Sequence, residues 1–164
     1  MPRVFLLARI VTYATVFVGL FFVGIPAQIL SASRIEWPAT IGVVQVVGAL
    51  LTAAGAALAA WCVLTFAVMG RGTPAPFDPP RDLVMRGPYR YVRNPMDLGG
   101  AAAMLGVAVF YRAPGLLAYA VVFMVFAHLF VVGYEEPTLR RKFPHRYSEY
   151  FERVRRWVPK RWRR

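Results

Sequence analysis

Residues 115–134 read GLLAYAVVFMVFAHLFVVGY and contain no Asp, Glu, Lys or Arg. As a helix rising about 1.5 Å per residue, this stretch reaches the roughly 30 Å of a bilayer's hydrocarbon core. The whole chain fits the same solvent, because 58% of its 164 residues are hydrophobic and only 17% are charged. Ordinary soluble domains are much less apolar. The stretch therefore predicts a membrane-spanning helix.

Two further apolar runs lie toward the N-terminus. Residues 10–30 predict a first span, which we expect to be retained because no convincing small-residue cleavage site follows it. Residues 39–69 would be about 46 Å long as one helix, so this second span must tilt, kink or protrude. Small residues recur in it at every fourth position, namely Gly48, Thr52, Ala56 and Ala60. Such a stripe predicts close packing with another helix.

A shorter apolar run, residues 98–110, precedes the opening stretch. As a helix it would be only about 20 Å long, which is too short to cross the core comfortably. Residues 111–114 predict a tight turn with a proline near the start of the next helix. The sequence therefore predicts an all-α, polytopic membrane bundle of about four spans, whose last two helices form an antiparallel hairpin.

The basic residues indicate the topology. The net charge of +12 comes from 20 Lys and Arg against 8 Asp and Glu. Eleven basic residues follow Glu136 and five lie between Arg71 and Arg93, beside the apolar segments. Four spans place this loop, the tail and both termini on one side, and the positive-inside rule makes that side cytoplasmic. Nucleic acid is not expected as a partner, because binding it would need a soluble basic face.

The C-terminal tail combines basic charge with a helical apolar pattern. Its apolar residues have helix-like spacing: Phe143, Tyr147, Tyr150, Phe151, Val154 and Val158. This spacing predicts an amphipathic helix, which we expect to lie on anionic lipid and close over the bundle. We divide the chain into an N-terminal two-span membrane segment, residues 1–70, and a second part, residues 71–164, that contains the loop, the hairpin and the tail.

Two polar clusters stand at the membrane boundary, where polar groups are costly and tend to mark sites. The first, residues 87–100, reads GPYRYVRNPMDLGG, and the second is the acidic pair Glu135-Glu136. The antiparallel hairpin brings them close together. A plain helix start also explains part of the first cluster, with Asn94 as N-cap, Pro95 as first helical residue and Asp97 as capping-box acid. Two acids at the negative end of a helix dipole imply a cationic partner, either an arginine or a ligand.

Cysteine and histidine are sparse. Cys62 is the single cysteine, so neither a disulfide nor a cysteine-rich metal site is expected within one chain. His128 and His145 alone do not make a metal site convincing, and we expect no metal.

An ordered series of short motifs runs through residues 72–159. It comprises Leu83-Val84, Gly87-Pro88-Tyr89, Arg93-Asn94-Pro95-Met96-Asp97-Leu98-Gly99, Glu135-Glu136-Pro137-Thr138-Leu139, Phe143, Tyr147, Tyr150 and Val158-Pro159. The series resembles the isoprenylcysteine carboxyl methyltransferases and their relatives among the phospholipid methyltransferases. Any single motif is weak, but the ordered set with its spacing is fairly specific.

The resemblance implies an integral membrane enzyme that moves a methyl group from S-adenosylmethionine to a lipid or other lipophilic acceptor. It implies that the cofactor is held by Arg81, Asp82, Leu83, Val84, Tyr89, Asn94, Pro95, Met96, Asp97, Glu135 and Glu136. The chemistry agrees, because a carboxylate suits the cofactor's amino end and apolar side chains suit its adenine. Helix-terminal amides and arginine suit its carboxylate.

Three positions depart from the pattern of the prenylcysteine enzymes. Asn94 stands where the family usually has histidine, and Asp97 stands where it usually has tyrosine. Val131 replaces an arginine that helps bind the prenylcysteine carboxylate, so we do not expect prenylcysteine as the acceptor. Methyl transfer as such is still expected, because Asn94 can hydrogen-bond the cofactor.

Arg93 and His128 are the candidate catalytic residues. Methyl transfer from a sulfonium is an in-line displacement that needs alignment and a water-poor environment. An amine or hydroxyl acceptor would also gain from a base, and His128 is the internal candidate. It lies seven residues before Glu135, within about 20° on an α-helix, so both could line one cavity. A structural role, bonding a neighbouring helix, is the alternative for this histidine.

Two other functions remain open from the sequence. Sterol reductases resemble this hairpin, so a membrane reductase with a nicotinamide cofactor is one alternative, although nothing here is specific for a dinucleotide. The other is a non-catalytic membrane protein whose polar groups cap helices and fix the topology.

Overall fold

The computed structural model describes residues 3–70 and 82–159, and most of the chain within these ranges is helical. The helices are α1 (Arg3–Val18), α2 (Ile25–Ala32), α3 (Val43–Thr65), α4 (Pro95–Tyr111), α5 (Pro114–Phe130), α6 (Glu136–Lys142) and α7 (Pro144–Arg153). π-helical segments at Gly19–Gly24, Phe66–Gly70 and Val131–Glu135 extend α1, α3 and α5, and a 3₁₀ turn covers Gly87–Arg90.

Two of the π-helical segments have a cause in the sequence. Pro26 lies four residues after Phe22, and Pro137 lies four residues after Gly133. A proline inside a helix removes one N–H donor, and its ring clashes with the carbonyl four residues earlier. Both of these carbonyls fall inside π-helical segments, whose wider turns move them away from the ring. α1 and α2 therefore form one irregular helix, and so do α5 and α6.

The helices suit a bilayer. Three continuous stretches of the described residues are long and apolar enough to cross it, Val11–Ala32, Val43–Val68 and Pro114–Lys142, and α4 is apolar but shorter. Large apolar side chains such as Leu64 and Leu129 point outward with more than 60% of their surface exposed, as a lipid-facing surface requires. The predicted all-α membrane bundle is confirmed, and the protein is an integral membrane protein. The second span begins at Val43, later than predicted.

α3 and α4 pack with their backbones in contact. A Cβ atom on Gly99 would lie 2.8 Å from the Gly55 carbonyl oxygen, and one on Gly48 would lie 2.6 Å from the Phe110 amide nitrogen. Thr52 fills the seam between the helices, and its hydroxyl donates to the Gly48 carbonyl at 2.9 Å. The small residues therefore let the two helices approach as closely as their backbones allow.

The predicted packing stripe is right at Gly48 and Thr52 and wrong at Ala56 and Ala60. The two alanines are exposed and line a cavity rather than the contact between the helices. Gly55 continues the contact with α4. Steps of four residues drift about 40° around an α-helix each time. A straight seam therefore needs alternating steps of four and three.

The predicted tight turn of the hairpin is confirmed. α4 is capped by Arg112, whose backbone is left-handed (φ 49°, ψ 42°), and Pro114 starts α5. The first span joins the hairpin through Tyr119, whose hydroxyl donates to the Phe21 carbonyl at 3.0 Å. The start of α4 and the end of α5 consequently lie on the same side of the bundle.

The tail helix is shorter than its apolar pattern predicts. α7 ends at Arg153, and Val154 has an extended backbone (φ −118°, ψ 127°). The next residues run beside the loop before α4, where the Arg93 amide donates to the Arg155 carbonyl at 2.9 Å. In a continued helix this carbonyl would lack its usual donor, because Pro159 has no N–H, whereas the extended backbone pairs it with the loop. Val158 lies outside the helix and is 60% exposed.

The α3–α4 seam generates a test. Gly55→Ala should force the two helices apart, because the new Cβ would lie 2.5 Å from the Gly99 carbonyl oxygen, and we expect a loss of about 1–3 kcal/mol or more in the free energy of unfolding. Thermal unfolding of the purified protein in detergent measures this. Gly19→Ala is the matched control, since its Cβ meets nothing within 4 Å. Equal melting temperatures for the two variants would contradict the seam.

Candidate functional site

The loop before α4, residues 82–94, is held by α3. Gly87 has a left-handed backbone (φ 59°), and a Cβ there would lie 3.0 Å from the Thr65 hydroxyl. The next turn buries Tyr89, whose ring packs edge-on against Phe66 at 5.2 Å between centroids. Its hydroxyl is hydrogen-bonded with the Cys62 thiol, and burial keeps the pKa of Tyr89 well above its usual value. The phenol is therefore neutral at physiological pH.

A cavity of about 1130 Å³ lies between the first span, α3, α4 and α5. Most of its lining is apolar, including Phe22, Met104 and Phe123. Its polar lining residues concentrate where the loop, the start of α4 and the end of α5 meet. The predicted site residues that line it are Leu83, Val84, Tyr89, Arg93, Asn94, Met96, Asp97 and Glu135. The predicted meeting of the two polar clusters is therefore what the structure shows.

The remaining predicted residues do not line this cavity. Asp82 is exposed, and Pro95 is buried behind the wall at the first position of α4. Glu136 is also buried, but it faces away from the cavity toward two arginines. Arg81 lies outside the described residues.

Two acids form the polar end of the cavity. Asp97 and Glu135 are close enough to repel each other, and the Asn94 side chain hydrogen-bonds Asp97. Among the described residues neither acid has an arginine or lysine within ion-pair distance. Two acids this close favour a cationic group between them, because each carboxylate disfavours the charge on the other.

The neighbouring glutamate has the opposite environment. Glu136 accepts from Arg93 Nη2 at 3.0 Å, from Arg156 Nε at 2.8 Å and from Arg156 Nη2 at 2.9 Å. The Glu136 carboxylate raises the pKa of the Arg156 guanidinium. Arg93 also donates to the Phe151 carbonyl at 3.1 Å and stacks on the Phe151 ring, 3.9 Å from its centroid. We call Arg93, Glu136 and Arg156 the ion cluster.

His128 lies outside the lining of the cavity. It is exposed on α5, and its Nδ1 accepts from the Trp157 indole N–H at 3.2 Å. The expected common wall with Glu135 is absent because the π-helical segment Val131–Glu135 separates the two residues. Its wider turn changes the angle that seven α-helical residues would give. The hydrogen bond from Trp157 gives His128 a structural role.

Some lining residues were missed by the sequence reasoning. The first span contributes Thr12, Tyr13 and Phe22, and α5 contributes Tyr119. These side chains sit in uniformly apolar segments, so periodicity gave no signal for which face would be turned inward. Arg156 and Phe151 were seen only as tail residues, although the apolar spacing around Phe151 did indicate a packed tail.

The fold and the cavity define an integral membrane protein with a largely apolar cavity that ends in acids. The family model described as phospholipid methyltransferase matches residues 43–146. The chain therefore belongs to the phospholipid methyltransferase family, which is a family of membrane methyltransferases, and the family expected from the motifs is confirmed. The match crosses the boundary at residue 70, and the division of the chain there stays a prediction. No curated protein and no solved structure matches the chain significantly.

The contact between the tail and the loop is testable at one hydroxyl. Tyr150 donates to the Tyr89 carbonyl at 2.6 Å, and burial raises the pKa of Tyr150, so the donor is protonated at every physiological pH. Tyr150→Phe leaves that buried carbonyl without this donor and should cost about 1–3 kcal/mol of unfolding free energy. Thermal unfolding in detergent measures the loss. Tyr91→Phe, which changes a half-exposed tyrosine of the same loop, should have little effect, and a loss as large there would contradict the assignment.

Proposed function

We propose that the protein transfers the methyl group of S-adenosylmethionine to a lipid or other lipophilic acceptor at the polar end of the cavity. The observation that carries the proposal is the juxtaposition of Asp97 and Glu135 in a largely apolar cavity of a phospholipid methyltransferase family member. When bound, S-adenosylmethionine supplies an electrophilic methyl group carried on a sulfonium.

The residues present fit this cofactor. Its amino and sulfonium groups are cationic, and Asp97 and Glu135 have no basic partner among the described side chains. Carboxylates form their stronger hydrogen bonds with charged donors. Leu83 and Val84 are buried apolar residues at the same end of the cavity and suit the adenine. The buried phenol of Tyr89 adds a neutral polar contact beside them.

The apolar part of the cavity suits the acceptor. Phe22 and Phe123 both line it and meet edge to face, with 5.6 Å between their ring centroids, beside Gly100. Water is disfavoured among such side chains, and a hydrocarbon chain is favoured there. We propose that the acceptor enters from the bilayer and places its polar end beside the acids. The apolar side chains of the cavity would then align the acceptor with the methyl group and exclude water. Alignment and the absence of water are the main requirements of the displacement.

The orientation and the tail complete the proposal. We propose that the acids, both termini and α7 lie on the cytoplasmic side, and the basic residues of the loop and tail support this orientation through the positive-inside rule. Exposed basic residues of the tail, such as Arg146 and Arg153, would contact anionic lipid there. Arg93 is assigned to the binding of the cofactor's carboxylate end. The proposal gives no proton-transfer step to His128, since it does not line the cavity.

Binding of the cofactor tests the proposal. The purified protein should bind S-adenosylmethionine in calorimetry, and Glu135→Gln should raise the dissociation constant about 10- to 100-fold, because a hydrogen bond to a charged group contributes about 1.5–3 kcal/mol. The matched control is Glu149→Gln, an exposed acid of α7. NADPH is the comparison ligand.

Three results would count against the proposal: no binding of S-adenosylmethionine, binding of NADPH in its place, or equal affinities for the two variants. The acceptor is tested separately, by incubating the protein and labelled methyl donor with a total lipid extract. Label should appear in the organic phase and should be lost with Glu135→Gln.

A further inference from the structure

The ion cluster lies beside the proposed cofactor site. Of its three residues Arg93 lines the cavity, and Glu136 and Arg156 do not. Glu136 uses both carboxylate oxygens on guanidinium groups, and its side chain is 9% exposed. Such a carboxylate has little capacity left for a ligand. Its sequence neighbour Glu135 lines the cavity. The two adjacent glutamates therefore have different tasks.

The same cluster holds the backbone of the loop. The Arg93 amide donates to the Arg155 carbonyl at 2.9 Å, and the Asn94 amide donates to the Arg156 carbonyl at 3.3 Å. The Arg156 side chain then binds Glu136 at the start of α6. One carboxylate thereby links α6, the tail and the two loop residues that precede α4.

Arg93 is fixed on three sides. It donates to Glu136 and to the Phe151 carbonyl, and it stacks on the Phe151 ring. Its Nε–H is buried and has no hydrogen-bond partner within the described part of the chain. A buried donor without a partner is unfavourable. A fixed guanidinium that is 7% exposed and lies on the cavity wall is suited to an oxygen of a bound ligand.

We propose that Glu136 and Arg156 are positioning residues, which do not touch S-adenosylmethionine but hold Arg93 and Asn94 in the geometry that binds it. This inference rests on the proposed function. It changes the role expected for Glu136, which is removed from the cofactor contacts. It also makes the tail after α7 part of the site's support.

The test compares the ion cluster with an exposed ion pair of the same tail. Arg156→Ala removes the cluster's link to the tail, and Glu136→Gln removes its charge. Arg156→Lys keeps the charge but loses the two-point contact that only a guanidinium makes. The matched control is Arg153→Ala, since Arg153 pairs with Glu149 at 3.9 Å and both side chains are at least 70% exposed.

Two measurements separate positioning from stability. The affinity for S-adenosylmethionine is measured by calorimetry well below each variant's melting temperature. Arg156→Ala and Glu136→Gln should weaken it about 10- to 100-fold, the range found for groups that orient the protein ligands of a bound metal. Arg156→Lys should recover part of the loss. Hydrogen exchange of the ligand-free protein should show faster exchange at the amides of Arg93 and Asn94 in the Arg156→Ala protein, and unchanged exchange in the Arg153→Ala protein.

Coupling gives a third measurement. The double variant Glu136→Gln, Arg156→Ala should weaken binding no more than the worse single variant, because both changes disable one unit. Additive losses would overturn the proposal. So would lower melting temperatures with an affinity equal to that of Arg153→Ala, which would make the cluster merely structural. A wild-type protein that binds no S-adenosylmethionine would instead overturn the proposed function, and this inference with it.

Discussion

The backbone contact between α3 and α4 determines where everything else in the site can lie. Gly55 and Gly99 approach so closely that either Cβ would meet the other helix's carbonyl. Lipid chains are as apolar as leucine, so helices in a bilayer associate through such close packing rather than through the hydrophobic effect. With α4 held on α3, the loop before α4 must fold back along the end of α3. Cys62 and Phe66 then meet Tyr89, and Asp97 is carried to the cavity by the first turn of α4.

Charges at the membrane boundary follow from this placement. An uncompensated charge is expensive there, and the protein satisfies Glu136 with two guanidinium groups. Asp97 and Glu135 are left without such partners among the described residues. The contrast between Glu135 and Glu136 arises because adjacent helical residues point about 100° apart. One therefore faces the cavity while the other faces the tail.

Composition and length were enough to predict the helical bundle, because a bilayer leaves few choices for a long apolar segment. The turn at Arg112 and Pro114 was also readable, since proline prefers the first position of a helix. The meeting of the two polar clusters followed from the hairpin. The motifs then identified the family, because an ordered series constrains spacing as well as residue type.

Finer geometry was not readable in the same way. The predicted packing of α3 was wrong at Ala56, because alanine fits a contact between helices and a cavity wall equally well. The prediction that His128 and Glu135 share a helix face was wrong because Pro137 distorts the helix before it. Counting residues at 100° each assumes a regular α-helix. The predicted end of the tail helix was wrong because Val154 continues the apolar pattern although its backbone is extended. The residues that follow it hydrogen-bond to the loop. For the stripe and for the tail, packing and hydrogen bonds to distant segments decided the outcome, whereas for His128 and Glu135 the nearby proline did.

The lining of the cavity is apolar along most of its length and polar at one end. Its apolar part is built by the first span and the middle of α4 and α5, which the surrounding lipid already favours. Its polar end is built by the loop, the first turn of α4 and the π-helical end of α5, which carry Asn94, Asp97 and Glu135. Irregular backbone at membrane depth is tolerated only where protein or a cavity covers it. Here the tail packs on the irregular loop and accepts hydrogen bonds from its Arg93 and Asn94 amides, so these backbone groups are paired.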